Sequence, residues 1–329
     1  MQRTGLGFTM KFQFGIIAAA LFATGCTGKQ SEERSEQTCG TEFVILGVGQ
    51  DAGAPQIGNF GDPAWNDRSL KLLAAAGAII DHKNGQRYLF EATPDIREQL
   101  HQLDTISENN DDPLGLSGIF LTHAHIGHYS GLMFAGHESA GTKDLRVFAL
   151  PRMKTYLETN GPWSQMVNFS NIEIASVSPN QPIDLSNKVS VTAYLVPHRD
   201  EYSETAAFVI KGPSKNILFL PDIDDWDRWE SEYSIRIEDM IAQVDVAYLD
   251  ATFFDNQELP GRDMTKIPHP RLSGSMDRFE KLAQSERDKV RFFHLNHTNK
   301  ARFIDSKEHR SIMQRGYKLA KRGERTCLD

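Results

Sequence analysis

Short apolar runs rich in β-branched and aromatic residues recur along the chain, separated by polar turns and helical stretches. Phe43-Val44-Ile45-Leu46 is the first, and it runs into a glycine-rich loop at 47–58. Runs at 78–81 and 88–91 flank Asn84-Gly85, a dipeptide suited to the positive backbone angles of a tight hairpin turn. Segment 95–104 reads as a short helix entered by Thr93-Pro94, with proline at the helix start where its missing N–H costs nothing. Strands follow at 118–122, 146–150, 172–176 and 189–196. Segments 207–211 and 217–220 read as a second hairpin across Gly212-Pro213-Ser214, and 246–249 and 290–295 complete the series. No repeat or low-complexity linker interrupts 41–315, so the pattern predicts one αβ/βα domain over 43–315, with helices outside packed sheets.

Both ends read differently. A weakly basic start with Arg3 and Lys11 precedes the apolar run Ile16-Ile17-Ala18-Ala19-Ala20-Leu21-Phe22, which closes in Ala23-Thr24-Gly25-Cys26. The run is shorter than the ~20 residues a spanning helix needs, and its layout is that of a secretory signal over 1–25. Small residues running into a cysteine resemble a bacterial lipobox, which predicts lipidation of Cys26, with Ala23 standing where leucine is usual. Met10 would serve as an alternative start, and Thr27 after the cysteine implies outer-membrane sorting and a periplasm-facing protein. Residues 26–42 are polar and predict a flexible tether. Residues 316–329 read as a basic tail, with 315–325 a solvated terminal helix.

With Cys26 assigned, Cys39 and Cys327 remain. In an oxidising compartment this even pair can tie the two ends together, two free thiols being the alternative. Closing so long a loop contributes on the order of 5 kcal/mol at most in the entropy model.

Composition narrows the partners. Of 329 residues, 36 are Lys or Arg against 44 Asp or Glu, a formal charge of −8. That balance, without a basic block, argues against a nucleic-acid surface, which needs clustered cations to meet phosphates. A small-molecule substrate and a membrane contact through Cys26 are the expected partners.

The chemistry lies at strand ends. Segment 121–132 reads LTHAHIGHYSGL, with His123, His125 and His128 behind the apolar run Ile119-Phe120-Leu121. In extended chain, residues i and i+2 face the same side, so His123 and His125 can grip one ion. His198 after the 189–196 run would close a three-histidine face, and Asp222 after the 217–220 run would serve as fourth or bridging ligand. Asp222 can also orient the attacking water or accept its proton. A hydrolytic zinc site needs three protein ligands and one open position. A second ion would be held partly by His128 and a C-terminal histidine, His294 or His297. Asp51 in the glycine-rich loop is a further second-site candidate, and His269 a substrate-side one. His82, His101, His137 and His309 read as ordinary packed or surface histidines.

In order, the motifs His-x-His-x-x-His, VPHRDEYSETAAFVI and NILFLPD, with a C-terminal strand bearing histidine, resemble the metallo-β-lactamase fold superfamily. LGVGQDAGAPQ, YLFEATPDI, YLDATFFDNQEL, PHPRLSGSM and FFHLNHTN are similar to segments of the pyrroloquinoline quinone biosynthesis protein B family. The resemblance spans roughly residues 43–300 and implies a four-layer αβ/βα sandwich. It also implies a metal centre at its rim, of one or two zinc ions with iron or manganese as alternatives.

Two departures stand out. The superfamily pattern is His-x-His-x-Asp-His, whereas this chain has Gly127 at the aspartate that ligates the second metal. The quinone-biosynthesis family keeps the Asp-His pair and typically lacks the first two histidines, the reverse of HAHIGH. The resemblance places His294 at the family's strand-ending histidine, while His297 occupies an asparagine position and would be an added or replacement ligand. The expectation is therefore a metal-dependent hydrolase acting on an ester, phosphodiester, lactone or amide-type bond. The alternatives are a non-haem iron oxygenase using His125, His198 and Asp222, and a non-catalytic metal-binding lipoprotein.

Overall fold

The computed structural model describes residues 39–109, 113–186 and 188–329. The signal peptide, Cys26 and most of the tether lie outside the described residues. Residues 39–329 form one compact unit.

Two seven-stranded sheets face each other. The first contains β1 (Thr41–Gly47), β2 (Ala76–Asp81), β3 (Gln86–Phe90), β4 (Gly118–Phe120), β5 (Leu145–Ala149) and β6 (Ile172–Ser176). The second contains β7 (Pro182–Asp184), β8 (Ser190–Val196), β9 (Thr205–Lys211), β10 (Asn216–Leu220), β11 (Val246–Asp250), β12 (Val290–Phe293) and β13 (Lys318–Leu319). The last strand, β14 (Arg325–Cys327), returns to the edge of the first sheet and pairs antiparallel with β1.

Strand alternation builds three apolar layers from this arrangement, because successive side chains point to opposite faces. In β1, Phe43 and Ile45 enter the inter-sheet core while Val44 and Leu46 face an outer cluster of helices. In β10, Ile217 and Phe219 face inward, and Leu218 and Leu220 pack outward on Trp229 and Ile241. Both faces of each sheet are thus buried, which is why these strands read as continuous apolar runs. An aromatic stack fills the middle: Phe120 lies between Phe90 and Phe148, with ring centroids at 4.9 and 4.3 Å. The result is helix, sheet, sheet, helix, the four-layer sandwich.

The direction of the strands decides where chemistry can gather. β1 and β3 each run antiparallel to β2, and β4 runs parallel to β3, so these three point the same way. In the second sheet β8, β10, β11 and β12 likewise run together. Their C-terminal ends share one rim in each sheet, and every candidate ligand follows such an end.

Three expectations are corrected. Residues 315–325 do not form a solvated helix: the last long helix ends at Gln314, and the following chain adds β13 to the second sheet and β14 to the first. Tyr317, Ala320 and Leu328 are buried between the charges and hold this segment down, and Arg325 pairs with Glu42. The domain therefore does not stop at 315, and 316–329 is part of it. Nor does the tether extend to 42, since Thr41 and Glu42 lie in β1 and Cys39 is bridged to Cys327 with Cα atoms 5.7 Å apart.

Between β11 and the following helix, the chain makes an excursion carrying a half-buried acid, Glu258. Its carboxylate accepts from the Phe254 amide at 2.6 Å and the Thr298 hydroxyl at 2.5 Å. Burial pushes this carboxyl up to about 7 from its ordinary 4.5, against the lowering effect of Thr298. An acid with a raised folded-state pKa costs nothing below pH 4.5, progressively more as pH rises, and its full penalty above about 7. Glu258→Gln should therefore stabilise the fold by about 1–3 kcal/mol at pH 8 and hardly at all at pH 4.5. Urea unfolding at the two pH values checks this, and an equal effect at both would contradict it.

Candidate metal centre

The cluster assembles from five strand ends. After β4, the extended segment His123–Ala124–His125 leads into the short helix Ile126–Tyr129, which carries His128. The Ala124 amide donates to Ser203 Oγ at 2.8 Å and fixes this segment against the second sheet. His198 follows β8, Asp222 follows β10, Asp250 ends β11 and His294 follows β12.

Three ring nitrogens converge. His123 Nε2 lies 2.8 Å from His125 Nδ1, and His198 Nε2 lies 3.1 Å from the same atom. Asp222 sits beside them, 3 % exposed. Its Oδ2 is 2.9 Å from His128 Nε2, 3.3 Å from His294 Nε2 and 3.9 Å from His123 Nε2. Its Oδ1 is 3.8 Å from His198 Nε2. Four imidazoles thus surround one carboxylate.

Each ring is held from behind by a second group. His123 Nδ1 meets Thr122 Oγ1 at 2.8 Å, His125 Nε2 meets Glu201 at 3.1 Å, and His198 Nδ1 meets Asp224 at 2.8 Å. His294 Nδ1 meets Thr252 Oγ1 at 2.9 Å, and His128 Nδ1 faces the buried Glu91 carboxylate at 3.5 Å. Such partners fix the tautomer and aim the remaining nitrogen, as the outer groups of metal sites do.

The electrostatics fit the same reading. Burial, and then the neighbouring His128, hold His123 well below the ordinary imidazole range. Burial, and then His198, lower His125. Burial also lowers His294 against the pull of Asp222. These rings are neutral, the form that binds metal. Burial opposes charge on His128 too, but Asp222 and Glu91 outweigh it and hold that ring well above its usual value. Burial would raise Asp222, yet His294 and His128 keep it well below the carboxylate range. Four buried atoms of the site make no hydrogen bond: His294 Nε2, His128 Nδ1, Asp222 Oδ2 and Glu91 Oε1. A buried, unpaired ring nitrogen costs a few kcal/mol; aimed at a carboxylate oxygen, it has the place of a ligand. The residues present fit a divalent ion.

Two groups of three donors, each within 4.8 Å of one another, can be recognised: His123/His125/His198 and His123/His128/Asp222. A third, Asp222/Asp250/His269, lies beside them. His269 Nδ1 is 2.7 Å from Asp250 Oδ2 and 3.5 Å from Asp222 Oδ1. His297 is not in the cluster. Its Nδ1 contacts the Asn59 side chain at 3.0 Å, and the ring lines a cleft at the mouth with Asp51 and His269. His294 follows β12 at φ +60° and is fully buried, whereas His297 comes after Leu295 and Asn296, whose amides bond to Val48 O and Thr252 O. Arg199 lines three clefts around the site, with Arg262 and Lys266 sharing one of them. One of these clefts, of about 320 Å³, is also walled by His125, Ile126, Gly127 and Asp51.

Glu91, Glu201, Asp224, Asp250, Thr122 and Thr252 were not foreseen. Asp224 stands two residues after Asp222, and Glu201 three after His198. A search for carboxylates near each ligand would have raised those two, whereas Glu91 and Thr252 carry no local signal.

The Beta-lactamase superfamily domain model matches residues 86–294 of the chain. Coenzyme PQQ synthesis protein B of Methylorubrum extorquens (strain PA1) is 24% identical over 319 residues, spanning 85% of this chain and 97% of that protein. The crystal structure of Zn(2+)-bound PqqB from Methylobacterium extorquens superposes with a TM-score of 0.71 at 19% identity, over 87% of this chain and 99% of that one. A diphosphatase from the PhnP family gives a TM-score of 0.58 at 20% identity, over 87% and 96%. At these identities the structural likeness speaks for the fold. Since the family model covers more than half of the sequence, and the two-sheet sandwich and its rim of histidines agree with it, the chain belongs to the beta-lactamase superfamily.

Proposed function

We propose that this protein is a metal-dependent hydrolase. The observation that carries this reading is the convergence of His123 Nε2, His125 Nδ1 and His198 Nε2 within 2.8–3.1 Å contacts beside Asp222, under open clefts. A bound divalent ion, zinc by the donor set, would lower the pKa of water and polarise the bond being cut. His123, His125 and His198 would hold the first ion, and His128, His294 and Asp222 would serve a second. Asp222 orients the attacking water and accepts its proton. Asp250 holds His269 Nδ1, leaving the other ring nitrogen to serve the leaving group.

The cations at the mouth, Arg199, Arg262 and Lys266, stand out in a chain of net charge −8. They favour an anionic substrate, a phosphodiester before a neutral lactone or ester. Hydrolysis of bis(p-nitrophenyl) phosphate and p-nitrophenyl acetate by the full chain, before and after chelation, tests the reading. Loss of turnover with EDTA and recovery with zinc is expected; turnover that ignores the chelator would refute it.

A second reading is an iron enzyme, since two histidines and a carboxylate, His125, His198 and Asp222, are a donor set that suits ferrous iron. Iron as the tightly held metal, with O₂ consumption and no hydrolysis, would favour it over the first. The sequence also supports export and anchoring through a lipid on Cys26, and the Cys39–Cys327 bridge suits an oxidising compartment. Labelling with a fatty-acid analogue that survives Cys26→Ser would argue against the anchor.

A further inference from the structure

Gly127 leaves the second ion a ligand short, and the structure shows what has taken the space. A β-carbon placed on Gly127 would lie 2.5 Å from Asp51 Cα and 2.9 Å from its carbonyl oxygen. No side chain fits there, so an aspartate at this position is excluded by the loop that follows β1. That loop is not loosely placed. The Gln50 amide donates to Leu295 O at 2.9 Å and the Leu295 amide to Val48 O at 2.9 Å, zipping 48–50 to the residues just after His294. Asp51 is the next residue, adopts φ +46°, and lines one cleft with His125 and Gly127 and another with His269. Its backbone therefore packs on Gly127, while the residues before it are bonded to Leu295, the neighbour of His294, whose Nε2 is among the buried atoms without a hydrogen bond.

We infer that Asp51 replaces the missing aspartate: its carboxylate completes the second-ion site with His128, His294 and Asp222. Gly127 and Asp51 are then a matched pair, the glycine making room for the loop that delivers the acid.

The inference rests on the hydrolase reading, and the test separates the two. Zinc affinity and stoichiometry are measured on the full chain by competition with a chromophoric chelator, alongside Asp51→Asn and Gly127→Ala. Asparagine tolerates positive φ as aspartate does, so Asp51→Asn should keep the fold by circular dichroism. The wild type should take up two ions. Asp51→Asn should weaken the second at least tenfold and leave the first unchanged, and Gly127→Ala should do the same by displacing the loop. Two ions held with unchanged affinity in Asp51→Asn, equal weakening of both ions, or a wild type that takes only one, would overturn the assignment of Asp51 alone. A wild type that binds no zinc would overturn the hydrolase reading with it.

Discussion

Asp222→Asn should reduce hydrolysis by about 10³-fold or more, the loss of roughly 4 kcal/mol of transition-state stabilisation. Its carboxylate reaches both halves of the cluster. One oxygen faces His128, His294 and His123; the other faces His198 and His269. Asparagine keeps the shape and removes the charge, so the rings lose the carboxylate that offsets their burial. The second ion should be lost and the first weakened, and the metal-free variant should also be less stable than the metal-free wild type. Replacing a group behind a ligand should cost less: Glu201→Gln, acting through His125, should lower affinity about 10–100-fold. Steady-state kinetics with zinc titration ranks the two variants, and a milder effect at Asp222 than at Glu201 would contradict the roles given to them.

The second large effect is on stability. The site holds two ring nitrogens within 3.1 Å of a third, and two buried ring nitrogens, His128 Nδ1 and His294 Nε2, without a hydrogen bond. An ion that binds only the folded chain stabilises it by about 2.7 kcal/mol at a hundredfold excess over Kd and about 4 kcal/mol at a thousandfold. For a domain of this size that is a melting shift of about 5–15 °C. Calorimetry should show this drop on chelation and its recovery with zinc. An unchanged melting temperature would mean that the folded chain does not select the ion.

The sandwich was legible because the central strands β1, β2, β10 and β11 are buried on both faces and read as apolar runs, and because Asn84-Gly85 and Gly212-Pro213-Ser214 mark their hairpins. The two- and three-residue edge strands were not. β13 and β14 carry one charged residue each and are too short to show a period, and periodicity carries no sign that β14 pairs with β1 at the other end of the domain. The primary ligands were visible as polar residues capping apolar strands, whereas the groups behind them come from distant segments. His294 and His297 could be separated only by the backbone turn after β12. The meaning of Gly127 lay in the approach of Asp51, a contact spanning the whole first half of the first sheet.

The most direct measurement is an anomalous difference map from crystals of the zinc-loaded full chain, recorded at the zinc absorption edge. The account predicts a peak bonded at about 2.0–2.1 Å to His123 Nε2, His125 Nδ1 and His198 Nε2. Rings that meet one another directly, with no anomalous density among them at saturating zinc, would contradict it.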